Sequence, residues 1–102
     1  MTEEEFKEIL DAEETDTVEF KSWTNARNMK EIISLAVDEL IAFANTKGGT
    51  VYFGVEDKPI EVTGCDRNYD GQRIIEGIYD RTVPPLFTEI SDFEYQGKLV
   101  IA

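Results

Sequence analysis

The chain has 102 residues, enough for one domain with one modest core, and its 41% hydrophobic and 11% aromatic content excludes a disordered polymer. It holds 22 Asp and Glu against 10 Lys and Arg, a formal net charge of −12, and no His. Acid–base chemistry is thereby confined to carboxylates, Lys, Tyr, Cys or metal-bound water, which excludes Ser/His and Cys/His nucleophile systems and zinc centres of the usual Cys/His kind.

The acidity is uneven. Residues 1–19 hold nine acids against Lys7 alone, a distribution that opposes long-range attraction of polyanions and reads most simply as a solvated acidic face. A lone Cys65 excludes an internal disulfide and fits a reducing, cytoplasmic compartment. No apolar run approaches the ~18 residues of a membrane span, and the N-terminus lacks the basic-then-apolar pattern of an export signal.

In chain order, Thr2 and Glu5 form a capping-box pattern ahead of Phe6, Ile9 and Leu10, which predicts a helix over 3–11. A polar connector, 12–16, leads to Thr17–Ser22, where Val18 and Phe20 alternate with Glu19 and Lys21 as in a half-buried strand. After a loop with Trp23 and Arg27, Asn28 suits the cap of a long helix over about 29–46. Its stripe runs through Ile32, Ile33, Ala36, Val37, Leu40, Ile41 and Ala44. Gly48-Gly49 then turns the chain into Thr50–Glu56, a strand expected to be buried on both faces.

Asp57-Lys58-Pro59 makes a turn, and 60–65 suits a short hairpin strand. Ile74, Ile75, Ile78 and Tyr79 mark a second main helix over 69–82, ended by Pro84-Pro85. Phe87–Tyr95 and Lys98–Ala102 form an antiparallel pair turned at Gln96-Gly97. The fold class is therefore α/β (α+β), a sandwich with a mixed sheet of about four to six strands, two main helices and a short N-terminal helix. The chain reads as one domain over 1–102, and its stop inside a strand-like run suggests the N-terminal fragment of a longer protein.

Three carboxylates stand out as candidate ligands. Glu19 lies beside Lys21 on the first strand, Glu14 precedes it by five residues, and Asp57 ends the central strand. Hard oxygen donors of this kind can hold Mg2+ or Mn2+, which stabilise charge on a phosphate or activate water against it. In a chain with 22 acids the bland reading is solvated surface charge plus a Glu19–Lys21 neighbour pair. If strands 17–22 and 50–56 are parallel neighbours, Glu14 and Asp57 fall at opposite ends of the sheet. The trio then meets only if the connection turns the first strand around.

Spread through the chain are Lys21, Arg27, Lys30, Lys47, Lys58, Arg67, Arg73 and Arg81, which read either as solubility charges or as phosphate contacts. Trp23 can stack on a base or cover the core edge. Gly48-Gly49 lacks the pattern of a phosphate loop and serves the turn, and Cys65 reads as a small core residue.

The sequence Glu14-x-x-x-Val18-Glu19-Phe20-Lys21, then Ala42-Phe43-Ala44-Asn45-Thr46-x-Gly48-Gly49, then Phe53-Gly54-Val55-Glu56-Asp57 and Gly64, resembles the Schlafen-type Alba-like domain. The resemblance covers nearly the whole chain. It implies an Alba-like two-layer sandwich and a DNA-binding module of prokaryotic transcriptional regulators, some of them RecG-helicase-related. In animal Schlafen proteins the domain looks like part of a metal-dependent endonuclease acting on structured RNA, and its three carboxylates fall on Glu14, Glu19 and Asp57. Glu56 stands where that family motif has Asp.

Three functions follow as expectations. The first is a nucleic-acid-binding module, for DNA or RNA, with Lys21, Arg27, Lys47 and Lys58 contacting phosphates around the Gly48-Gly49 turn. The second is an endoribonuclease using Mg2+ or Mn2+ at Glu14, Glu19 and Asp57. The third is an interaction module forming a homodimer or meeting a basic partner.

Overall fold

The computed structural model describes residues 1–26 and 28–102. Arg27, one of the expected phosphate contacts, lies outside the described residues. Helix α1, Glu3–Ala12, opens with the capping box, since the Thr2 side chain accepts from the Glu5 N–H while the Glu5 carboxylate accepts from the Thr2 N–H. Strand β1, Val18–Lys21, is followed by α2, Met29–Ala44, whose first turn is capped by Asn28 accepting from the Glu31 N–H. The Phe43 carbonyl accepts from Gly48 N–H at 2.9 Å, and Gly48 takes φ of 86°, so the helix is closed by a left-handed residue as its sequence predicts.

Strand β2, Thr50–Phe53, lies parallel to β1 with Val18 opposite Thr50 and Lys21 opposite Phe53. The expected strand 50–56 is shorter and breaks at Gly54, whose φ is 98°. Val55–Asp57 forms β3, which pairs antiparallel with β4, Ile60–Val62, in a separate two-stranded sheet. Helix α3, Gly71–Arg81, is capped by Asp70. Its end is fixed by the buried Thr82, whose Oγ1 donates to the Ile78 carbonyl and accepts from the Leu86 N–H.

The strand expected from Phe87 starts only at Asp92. Pro84 and Pro85 have no N–H to donate to a ladder, and residues 82–91 run without regular structure into β5, Asp92–Tyr95. Gln96 and Gly97 both take positive φ, as a two-residue hairpin turn requires, and lead into β6, Lys98–Ile101. The main sheet has the order β1-β2-β6-β5 and is mixed, with β6 antiparallel to both of its neighbours.

Two apolar clusters sandwich this sheet. On one face Ile32, Ile33, Ala36, Val37 and Phe43 of α2 and Ile74 and Ile78 of α3 pack on Val51, Phe53, Leu99 and Ile101. On the other, Phe6 is fully buried among Phe20, Tyr52, Val55, Tyr95 and Val100, with the Tyr52, Phe93 and Tyr95 rings about it at 4.9–5.3 Å. Trp23 meets Phe53 and Tyr69 edge-on, so it covers the edge of the first cluster. No helix among the described residues is long and apolar enough to cross a membrane.

Candidate carboxylate site

The site forms at the exposed edge of β1. Among the described residues only β2 pairs with β1 in the main sheet, so the outer N–H groups of β1 have no strand partner there. The Glu13 backbone, at φ 61° and ψ −166°, ends α1 abruptly. The chain then doubles back, and Thr15 and Val18 form an antiparallel bridge. Glu14 is thus folded alongside the strand that follows it, and its Oε2 accepts from the Phe20 N–H at 2.9 Å.

Asp57 arrives from the other direction. Gly54 donates its N–H to the Lys21 carbonyl, and its left-handed φ turns the chain out of β2 into β3. A Cβ here would stand 2.9 Å from Cys65 Sγ and 3.1 Å from the Leu99 carbonyl oxygen, so only glycine fits this bend. β3 packs against β1, and the Asp57 and Glu19 carboxyls both reach that of Glu14 as hydrogen-bonding neighbours. Parallel pairing of β1 with β2 therefore does not separate the trio. The chain reverses between Glu14 and Glu19, and β2 stops before Asp57.

Glu19 and Lys21 project from β1 toward α2. Lys21 Nζ lies 3.7 Å from Glu19 Oε1 and 3.2 Å from Glu39 Oε1, so a fourth carboxylate belongs to the cluster. Glu39 was not among the residues singled out by sequence. Its signal is its position, since Ile32, Ala36, Glu39 and Phe43 recur at intervals of four, three and four along one stripe of α2. An acid on an apolar stripe needs a partner.

The electrostatics follow from this crowding. Burial, the hydrogen-bonding Glu14 carboxyl and the charges of Glu39 and Glu14 push Glu19 up to about 7, against the opposing pull of Lys21. Burial acts upward on Glu14 too. The Phe20 N–H, the neighbouring Glu19 and Asp57 carboxyls and the Lys21 charge outweigh it and hold Glu14 below the usual carboxylate range. Burial acts downward on Lys21, but its hydrogen bond to Glu39 and the charges of Glu39, Glu19 and Glu14 raise it overall.

Among the described residues no three acids stand as a finished ligand cage. The cluster is a convergence of carboxylates turned toward one another, with one Glu14 oxygen committed to Phe20. The carboxylates are nonetheless hard oxygen donors, the kind a divalent cation takes, though as they stand they do not surround a common point. Glu19 and Asp57 each stand beside the Glu14 carboxyl, and a cation there would offset the burial and like-charge repulsion that raise Glu19. Glu14, Glu19 and Asp57 would hold it, and it would supply charge neutralisation toward a phosphate.

The expected basic set does not converge on one point. Lys21 is engaged within the cluster, and Lys58 follows Asp57 in the exposed β3–β4 turn. Lys47 is exposed ahead of Thr50, at the opposite end of the β1–β2 pair from Lys21. Glu56 is also partnered, accepting from Thr63 Oγ1 at 2.9 Å and from Asn25 Nδ2 at 3.2 Å, so it braces the hairpin that carries Asp57.

The family model described as Schlafen, AlbA_2 matches residues 14–102, so the match begins at Glu14 itself. In fold, the chain is similar to the crystal structure of the DIP2311 protein from Corynebacterium diphtheriae, with a TM-score of 0.73 and 23% sequence identity. The similarity covers 96% of this chain and 23% of that one, so the chain spans about a quarter of the other protein's length.

Proposed function

We propose, on the premise that the chain belongs to the Schlafen, AlbA_2 family and is a nucleic-acid-related module, that it binds nucleic acid at the edge of β1. Glu14, Glu19 and Asp57 would hold a divalent cation, Mg2+ or Mn2+, which would supply positive charge toward a phosphate, with Lys21 of β1 and Lys58 of the β3–β4 turn as the basic residues nearest in the chain. The observation that carries this reading is that Glu14, folded back onto the Phe20 N–H, has both the Glu19 and the Asp57 carboxyls beside it. A surface of net charge −12 repels a polyanion by itself, and a divalent cation at this carboxylate cluster would offset most of the local negative charge. The resemblance to regulators of transcription makes a cytoplasmic regulator's DNA-binding module the natural setting.

A gel-shift with DNA and with RNA at ~50 mM salt tests the reading. Retardation by the full-length protein that requires Mn2+ and weakens in Asp57→Asn is expected. No binding to either nucleic acid, with or without Mn2+, would sink it.

A second reading takes the same cluster as an endoribonuclease centre, in which the cation stabilises charge on the scissile phosphate or activates water. It is favoured by the adjacency of these three carboxylates. Mn2+-dependent tRNA cleavage that survives Asp57→Asn would reject it.

A homodimer has a surface of its own, because Val83 and Phe87 are 99% and 87% exposed and Tyr79 packs edge-on against Phe87. Sedimentation at micromolar concentration is expected to separate a dimer from a monomer, and Phe87→Ser is expected to shift it toward monomer.

A further inference from the structure

We infer that Glu39 on α2 is a positioning residue that keeps the Lys21 ammonium off Glu19, leaving the carboxylate cluster open to a cation. The inference rests on the cation-site reading above and extends it to a residue outside the three ligands.

Lys21 lies between two carboxylates of nearly equal exposure, 24% for Glu19 and 25% for Glu39. Glu19 is its neighbour two residues away on the same face of β1, whereas Glu39 reaches it from the facing helix. The ammonium sits closer to Glu39, at 3.2 Å, than to Glu19, at 3.7 Å, so its tighter ion pair is with the helix residue. Both Glu19 and Glu14 still attract it at this distance.

Without the Glu39 charge, the nearest anions to a flexible four-carbon amine are Glu19 and Glu14. The ammonium closes onto them and occupies the space a divalent ion needs. With Glu39 present, Lys21 is parked at the rim, where it faces an arriving phosphate. The placement of Glu39 on an otherwise apolar stripe, with its charge spent on Lys21, is what this role requires.

Mn2+ affinity of the full-length protein, read by the electron paramagnetic resonance of free Mn2+, tests the inference through a double-mutant cycle. Glu39→Gln is expected to weaken Mn2+ binding at least fivefold. Lys21→Met is expected to raise Mn2+ affinity in both backgrounds, and by at least threefold more in Glu39→Gln than in wild type. A helix–strand tether alone would give no rescue, and a simple long-range charge effect would give the same Lys21→Met change in both backgrounds. Either result overturns the inference.

Absence of Mn2+ binding by the wild type would instead sink the cation-site reading. The positioning claim is then read from melting temperatures without metal. Coupling of Lys21 to Glu39 is expected to exceed coupling of Lys21 to Glu19, and equal or reversed coupling overturns it.

Discussion

The Glu14 carboxylate accepts the Phe20 N–H at 2.9 Å, across a chain reversal of only six residues. One bond thus occupies an edge donor of β1 and brings the first acid of the cluster beside the second. Replacing Glu14 by Ala leaves that part-buried N–H without its acceptor, a loss of about 1 kcal/mol. Glu14→Gln keeps a carbonyl acceptor. Urea denaturation is expected to find Glu14→Ala about 1 kcal/mol less stable than Glu14→Gln, and equal stabilities would show that the bond contributes nothing.

Glu19 makes the stability pH-dependent in the opposite sense to an ordinary ion-paired acid. Its carboxyl titrates near 7 in the folded protein and near 4.5 when unfolded, so the folded state binds the extra proton between those values. Stability from this group is full below about 4.5 and is lost as pH rises through 7. At ~1.4 kcal/mol per pH unit, discounted for partial exposure and screening, the penalty at pH 8 is on the order of 1–2 kcal/mol. Glu19→Gln, in chelator, is expected to be more stable than wild type at pH 8 by that amount and equal to it at pH 4. Denaturation curves at the two pH values check this.

Gly54→Ala combines two costs at the bend that delivers Asp57. The φ of 98° is strained for any L side chain, and the new Cβ meets Cys65 Sγ at 2.9 Å and backbone at 3.1 Å. A loss of roughly 2–4 kcal/mol is expected, measured by thermal or chemical unfolding.

Lys58 and Lys47 separate the two ends of the β1–β2 pair. Nucleic-acid affinity measured against salt is expected to lose about one unit of log–log slope in Lys58→Ala and none in Lys47→Ala. The reverse pattern would place the phosphate at the Gly48-Gly49 turn instead.

Much of the architecture is legible in local sequence. The Asn28 cap, the Gly48 stop and the Gln96-Gly97 turn each act over a few residues, and each is where its chemistry predicts. The expected α2 stripe holds from Ile32 to Val37, but Ile41 and Ala44 are exposed and Phe43 is buried in their place. The site is less legible because it depends on two breaks in apparently continuous runs. Phe53-Gly54-Val55 reads as one apolar strand, and only the crowding by Cys65 and Leu99 shows that the chain must bend there. The acidic linker around Glu13 gives no turn signature, yet its reversal brings Glu14 back to Phe20. Residues 87–91 look β-compatible, but Thr82 anchors the chain at Leu86 after two prolines, and backbone pairing begins only where Ser91 exchanges hydrogen bonds with Ala102. Glu39 required reading an acid against the apolar stripe that carries it.

Mn2+ binding to the full-length protein, compared among wild type, Glu19→Gln and Asp57→Asn, tests the central claim most directly. The account expects saturable binding by wild type and at least tenfold weaker binding by each variant, because each removes one of three converging carboxylates. Affinity unchanged in both variants, or no binding by wild type, would contradict it.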